Sequence, residues 1–232
     1  MSFYDDGPGD RLVDDATYPN EIREFLRREE DLLLSAKSSY DLLVEVGCMH
    51  GRYLNWALDH DKAYVGIDIV PRYIELGATE ANELRLPSNR CQFILGDAGI
   101  IDTLVDPTLL GTDRSRMLLF FPFNSFGNMP TCAPIIKAVK QSLAPFLIST
   151  YTTSTSSTAS RRHYYGACSY TGLGATENEE GVLFTANDGL SSIAYHLEFI
   201  FNVFASASLP VEATRFGQIG IAYTTPGLFR NV

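Results

Sequence analysis

The sequence predicts an α/β fold: a doubly wound, seven-stranded sheet, mostly parallel, with an antiparallel strand in a C-terminal hairpin. Three observations predict it. From about residue 41 to 150, short apolar runs alternate with stretches of helical periodicity, the pattern of β/α units. The runs are apolar throughout rather than at every second position, as strands buried on both faces require. The first run, Leu42 to Val46, breaks into a turn bounded by Gly47 and Gly51 ahead of a helical stretch.

Each element follows in order. Pro19 and Asn20 open an amphipathic helix to about residue 37, with Ile22, Phe25, Leu26, Leu32 and Leu33 at near-helical spacing. A strand at 41–46, a helix at 52–60, a strand at 63–68 and a helix at 71–85 come next. They are followed by a strand at 91–96, a short helix at 98–105, a strand at 116–121, a helix at 131–142 and a strand at 143–150. Beyond residue 150 the Ser/Thr-rich tract STYTTSTSSTAS lacks apolar periodicity and charge, which predicts a strand end running into a mobile loop. The aromatic segment RRHYYGACSYTGL follows. A strand near 181–186, a helix near 190–207 carrying Ile193, Leu197, Ile200, Phe201 and Phe204, and strands at 210–216 and 218–224 complete the chain.

This describes one domain over 1–232: an N-terminal cap and helix (1–38), a cofactor-binding core (39–150), an acceptor lid (151–190), and a C-terminal helix and hairpin (191–232). A length of 232 residues suits one such unit and would cramp two. Eighteen Lys and Arg against 28 Asp and Glu leave a formal charge of −10, which argues against a phosphate-backbone partner. The N-terminus, MSFYDDGPGD, is acidic where a signal peptide is basic and then apolar, and no run reaches the roughly 18 apolar residues that span a bilayer. A cytoplasmic protein with no membrane or nucleic-acid partner is expected, and a homodimer is left open. Cysteines at 48, 91, 132 and 168 and histidines at 50, 60, 163 and 196 show no metal-ligand spacing, so no metal is expected.

The chemistry centres on the glycine turn. Gly47 and Gly51 let the backbone approach a ligand, and the helix starting near Arg52 aims its unpaired N–H groups at the same place. Glu45, within the strand, would repel a pyrophosphate and attract an ammonium or sulfonium centre. Asp68, at the tip of the second strand, can accept both hydroxyls of a ribose or cap the helix at Pro71. Asp97 likewise suits a ligand amine or a helix cap. The fourth strand ends in FFPFNSFGNM, which places Phe120, Phe121, Pro122, Phe123 and Asn124 at the carboxyl edge where ligands bind, with a plain turn residue as the other reading of Asn124. In the aromatic segment, Arg162, His163, Tyr164 and Tyr165 are candidates to hold an acceptor, with His163 also a candidate general base and Tyr164, like Asn124, a candidate to orient the acceptor's lone pair for catalysis. An aromatic cluster sealing the sheet edge is the alternative for Tyr165.

Together VEVGCMHGRY, VGIDIVPRYIELG and FILGDAGIIDTL resemble the first three motifs of the class I S-adenosylmethionine-dependent methyltransferases, over roughly residues 40–224. The resemblance implies a Rossmann-like fold, S-adenosylmethionine as cofactor and S-adenosylhomocysteine as product. It implies Glu45 near the methionine amino group, with Gly47, Cys48 and Gly51 in the turn beneath. Asp68 would hold the ribose hydroxyls, Ile69 would pack on adenine, and Asp97 with the Ala98 N–H would read its edge. Phe121 would lie beside the transferred methyl. Met49 departs from the family, which usually has glycine there. Asn124 resembles the polar residue that glycine N-methyltransferase relatives carry in this loop, and the NPPY pattern of nucleic-acid amino-methyltransferases is absent. Tyr4 and Tyr18 resemble N-terminal tyrosines that cover the cofactor, with Tyr18 also facing the acceptor. The implied activity is methyl transfer to a nitrogen or oxygen of a small molecule; the aromatic segment and the lack of a nucleic-acid surface point to specialised-metabolite biosynthesis. The competing readings are a nicotinamide-dependent oxidoreductase and a non-catalytic S-adenosylmethionine-binding module.

Overall fold

The computed structural model describes residues 3–4 and 7–229. The first long element is helix α1 (Asn20–Ser35), which buries Ile22, Phe25, Glu29 and Leu33. These positions recur every three or four residues and form one stripe. Next come β1 (Leu42–Val46), α2 (Leu54–Asp59), β2 (Ala63–Asp68), α3 (Pro71–Glu83) and β3 (Cys91–Leu95). The single turn α4 (Ile101–Leu104), β4 (Met117–Phe121), α5 (Cys132–Ser142) and β5 (Phe146–Tyr151) complete the first half.

The second half departs from the β/α rhythm. Helix α6 (Thr155–Ala167) leads into β6 (Gly174–Glu177), β7 (Gly181–Thr185) and β8 (Ser191–Tyr195). Helix α7 (Leu197–Ser206) and the hairpin β9 (Glu212–Phe216) and β10 (Gly220–Thr224) follow. The main sheet has seven strands in the order β3-β2-β1-β4-β5-β10-β9. The four pairings from β3 to β5 are parallel, and β10 runs antiparallel to both β5 and β9. Strand order reverses between β1 and β4, which opens a crevice at their carboxyl ends.

Packing explains the continuous apolar runs. Leu43, Leu118, Phe120 and Leu147 face one core with α1 and α2, whereas Leu42, Val44, Val46, Leu119, Phe121 and Ile148 face a second core with α5 and α7. Successive strand residues point to opposite faces, and here both faces are covered.

Two expectations fail in the second half. The Ser/Thr tract forms a helix, not a mobile loop. Ser154 caps α6, its hydroxyl accepting from the Ser157 N–H at 3.2 Å, and Ser157, Arg161, Tyr164 and Tyr165 make its buried stripe. A stripe of polar and amphipathic side chains has no hydrophobic periodicity to reveal it. Residues 191–195 form a strand where a helix was expected, because they pair with β7 in a separate three-stranded antiparallel sheet, β6-β7-β8. Helix α7 starts only at Leu197. Among the described residues no helix is long and apolar enough to cross a membrane.

Candidate functional site

A cavity of about 1060 Å³ opens over the carboxyl ends of β1, β2 and β4. Its inner wall is the turn after β1. The Gly47 and Cys48 N–H groups both donate to the Ile67 carbonyl, at 2.8 and 3.1 Å, tying the turn to β2. Gly47, Met49 and Gly51 all have positive φ, at 75°, 51° and 103°. A Cβ at Gly47 would stand 2.9 Å from the Ser125 Cβ, so glycine is required there by space as well as conformation. Met49 adopts the left-handed conformation despite its side chain and donates its N–H to Asp68 Oδ2 at 2.8 Å. The departure from glycine therefore leaves the turn's path open at a modest conformational cost.

Three carboxylates line this half. Asp68 accepts from Met49 and, at 3.0 Å, from the Val70 N–H, so each oxygen keeps a further acceptor site. Burial raises its pKa, and the backbone donors pull the other way. Asp97 caps the following turn through the Gly99 N–H at 2.7 Å, and this exposed carboxylate lies on the cavity wall beside the Ala98 backbone. Ile69 is 64% exposed and faces the cavity, a large apolar side chain with an uncovered face.

Glu45 is the most perturbed of the three. Its side chain is wholly buried, with Oε2 accepting from the Tyr53 N–H at 3.0 Å and the Tyr64 hydroxyl at 2.6 Å. Oε1 has no partner. Burial pushes its pKa up to about 8. Cys48 lines the cavity as well, and burial holds its thiol far above the range in which it ionises.

The outer half of the cavity is aromatic. Tyr4, Tyr18, Phe123, Tyr151, Tyr164 and Tyr165 all line it. Phe123 and Asn124 follow β4 with φ of 47° and 59°, a left-handed pair that swings the Phe123 ring against Tyr18 and Tyr164, each with ring centres 5.8 Å or less away. The pair is held because the Phe123 N–H donates to Glu29 Oε1 at 2.7 Å and the Asn124 N–H to the Ser149 carbonyl at 3.1 Å. Tyr18 and Tyr164 both donate to the Leu12 carbonyl, at 3.1 and 2.5 Å, which docks the N-terminal segment on the cavity. Arg72 reinforces it, donating to the Tyr4 carbonyl at 2.8 Å and to Asp10 at 2.6 Å.

Not every expected residue reaches this space. Gly51 shapes the turn from outside the wall, and Phe121 is fully buried in the core beneath β4. Arg162 and His163 are exposed on the outer side of α6 and line no part of the cavity. The helix explains this correction: with α6 formed, Arg161, Tyr164 and Tyr165 point inward and the two positions between them must point out. Asn124 is on the wall, but its amide is committed inward. Its nitrogen donates to Ser192 Oγ at 3.1 Å and to the Ile193 carbonyl at 3.3 Å, and its oxygen accepts from the Thr150 hydroxyl. It joins β4 to β8 and leaves no N–H free for a reactant.

Several contributors were not foreseen. Glu29, fully buried, takes the Phe123 N–H on one oxygen and the Tyr53 hydroxyl on the other. Its signal was a carboxylate inside the apolar stripe of α1. Arg52 and Tyr151 also line the cavity. Among the described residues no group of His, Cys, Asp or Glu is placed to hold a metal ion.

No protein-family model and no curated protein matches the sequence. Solved structures do match the fold. The 1,6-didemethyltoxoflavin-N1-methyltransferase of Burkholderia thailandensis, solved with 1,6-didemethyltoxoflavin and S-adenosylhomocysteine, superposes with a TM-score of 0.57 at 12% identity, over 91% of this chain and 80% of that one. A SAM-dependent methyltransferase from Aquifex aeolicus gives 0.59 at 14% identity, over 94% and 96%. The chain has the fold of the S-adenosylmethionine-dependent methyltransferases. The glycopeptide N-methyltransferase MtfA has it too, with a TM-score of 0.57 at 12% identity, over 85% of this chain and 94% of that one. The fold is the one that the three motifs resemble, down to the antiparallel strand β10 between β5 and β9. At these identities the likeness concerns fold; activity has to be argued from the site.

Proposed function

We propose that this chain is an S-adenosylmethionine-dependent methyltransferase that methylates a nitrogen, or failing that an oxygen, of a small-molecule acceptor, as part of specialised-metabolite biosynthesis. One observation carries the reading: a single cavity joins the glycine turn, Asp68, Ile69 and Asp97 to an aromatic compartment roofed by the N-terminal segment. The residues present suit the cofactor. Glu45 Oε1 is a buried acceptor without a partner at the end where an ammonium would lie. Asp68 keeps acceptor sites for two ribose hydroxyls, and Ile69 offers an uncovered apolar face for adenine. Asp97 and the Ala98 N–H complete the adenine edge.

When bound, S-adenosylmethionine would supply a methyl group on a sulfonium centre, open to in-line attack by an acceptor lone pair, with the C–S bond broken and S-adenosylhomocysteine, a neutral thioether, as the leaving group. The chain's own contribution is placement. Tyr18, Phe123, Tyr164 and Tyr165 sandwich the acceptor, and the roof over them excludes water. Holding two reactants at attack distance can supply on the order of 7–11 kcal/mol. The methylated amine leaves as an ammonium and loses its proton to solvent once it is outside the roofed compartment. Burial raises the pKa values of Tyr18 and Tyr164, which leaves them hydrogen-bonding groups and not bases at neutral pH.

Calorimetric titration with S-adenosylhomocysteine and with NAD tests the reading. S-adenosylhomocysteine should bind and NAD should not, and Asp68→Ala should weaken that binding by roughly 1–3 kcal/mol, the cost of unpairing a buried polar group. Binding of NAD alone would overturn the proposal in favour of an oxidoreductase. Binding of S-adenosylhomocysteine without methyl transfer to any acceptor would leave a cofactor-binding module.

A further inference from the structure

Among the described residues Arg52 is the only lysine or arginine on the wall of the cavity. Its guanidinium spends one hydrogen bond, to the Tyr18 hydroxyl at 2.5 Å. Its carbon lies 4.8 Å from the centre of the Phe123 ring and 5.8 Å from that of Tyr18. Among the described residues it has no ion pair, although six other ion pairs of arginine with aspartate form elsewhere in the chain. A guanidinium carries five N–H donors in a fixed fork that matches a carboxylate, so most of this one's capacity is unused.

The neighbouring acids do not consume it. Glu29 is taken up by Phe123 and Tyr53, and the paired oxygen of Glu45 by Tyr53 and Tyr64. Burial raises both carboxyl pKa values, which favours their neutral forms. What remains is a cation set between aromatic faces, at the boundary between the glycine turn and the aromatic compartment. A partly buried guanidinium with unused donors favours a ligand that brings acceptors and a counter-charge.

Resting on the methyltransferase reading, we infer that the acceptor is a planar aromatic molecule bearing a carboxylate, which Arg52 reads by a forked pair of hydrogen bonds while Tyr18, Phe123 and Tyr164 hold the ring. Arg52 is then the residue that sets acceptor specificity. Its Tyr18 bond turns the fork towards the ring-binding space.

The test uses the full chain loaded with S-adenosylhomocysteine and matched probes: 2-aminobenzoate and 4-aminobenzoate against aniline, and 4-hydroxybenzoate against phenol. Wild type should bind at least one carboxylate probe tenfold or more tightly than its neutral partner. Arg52→Gln should erase that preference, and Arg52→Lys should keep part of it, since the charge remains and the fork is lost. In both variants S-adenosylhomocysteine affinity should stay within about threefold of wild type, with thermal melts confirming the fold. Equal binding of charged and neutral probes, failure of every carboxylate to bind, or a preference that survives Arg52→Gln would overturn the inference and leave the methyltransferase reading standing. Loss of S-adenosylhomocysteine binding in a folded Arg52→Gln protein would also overturn it, by assigning the guanidinium to the cofactor's own carboxylate. If wild type binds no S-adenosylhomocysteine, it is the underlying reading that fails.

Discussion

Replacing Glu45 by glutamine separates two consequences of burying a carboxyl beside the glycine turn. Burial pushes the Glu45 pKa from 4.5 to about 8. At about 1.4 kcal/mol per tenfold change in proton affinity, the difference amounts to roughly 5 kcal/mol between low and high pH. The folded pKa lies above the unfolded one, so the folded chain holds a proton that the unfolded chain has shed. The stability from this group is complete below about pH 4.5, declines as pH rises, and is lost once pH passes about 8. Glutamine keeps a neutral acceptor for the Tyr64 hydroxyl and the Tyr53 N–H but does not titrate. Urea unfolding at several pH values between 5 and 9 should show the variant gaining on wild type by a few kcal/mol, with a slope approaching 1.4 kcal/mol per pH unit near neutrality. Stability curves that run parallel across that range would refute the reasoning.

The same carboxyl gives a binding signature. At pH 7 a group with a pKa of about 8 is mostly protonated. If an ammonium group of the ligand comes to lie at Oε1, the carboxyl must ionise, releasing up to about 0.9 proton per ligand. Calorimetry of S-adenosylhomocysteine binding in buffers of different ionisation enthalpy measures that number directly, and Glu45→Gln should reduce it to near zero. No proton release in wild type would place the ligand's amine away from Glu45.

Asn124→Ala should behave as a structural lesion. It unpairs the Thr150 hydroxyl at roughly 1–3 kcal/mol for a buried group left unsatisfied, removes one of the two hydrogen bonds at Ser192 Oγ, which Tyr165 still meets, and puts alanine at a φ of 59°, at roughly 1–2 kcal/mol more. A loss of about 3–5 kcal/mol in chemical denaturation is expected, and normal stability with lost turnover would restore a chemical role for the amide. Arg162→Ala and His163→Ala should each leave methyl transfer within about twofold of wild type. A marked fall in turnover for either would mean that α6 rearranges when ligand binds.

How much was legible depends on what kept each residue in place. Strands β1, β2, β4 and β5 could be read because burial on both faces demands continuous apolar runs, and Gly47 and Asp68 because turn geometry and strand ends restrict residue type. The failures share a cause. Helix α6 is formed by a Ser154 cap and by Ser157, Arg161 and two tyrosines docking on neighbouring strands, none of which alternates apolar with polar. Strand β8 exists because β7 lies beside it, a pairing that local periodicity does not encode. A loop at this segment would put His163 on a lid; in the helix that forms instead, the spacing that turns Tyr164 inward turns His163 out.

The same limit applies to charge. Rules of composition send Glu and Arg to the surface, yet this site is held by Glu29, Glu45 and Arg161 out of reach of water. Glu29 bridges α1, the Phe123 backbone and Tyr53; the Tyr53 N–H in turn meets Glu45, which meets Tyr64 on β2. That chain of bonds runs behind the cavity from the end of β4 to β2, across the point where strand order reverses. It fixes the left-handed Phe123 against the glycine turn, so the aromatic and glycine halves of the cavity cannot move apart independently. A carboxylate in the apolar stripe of α1 was the one sign of this in the sequence. Such a residue in an otherwise amphipathic helix is best read as a bridge to a backbone that has left its regular hydrogen bonds, and in a doubly wound sheet that backbone lies where the ligand binds.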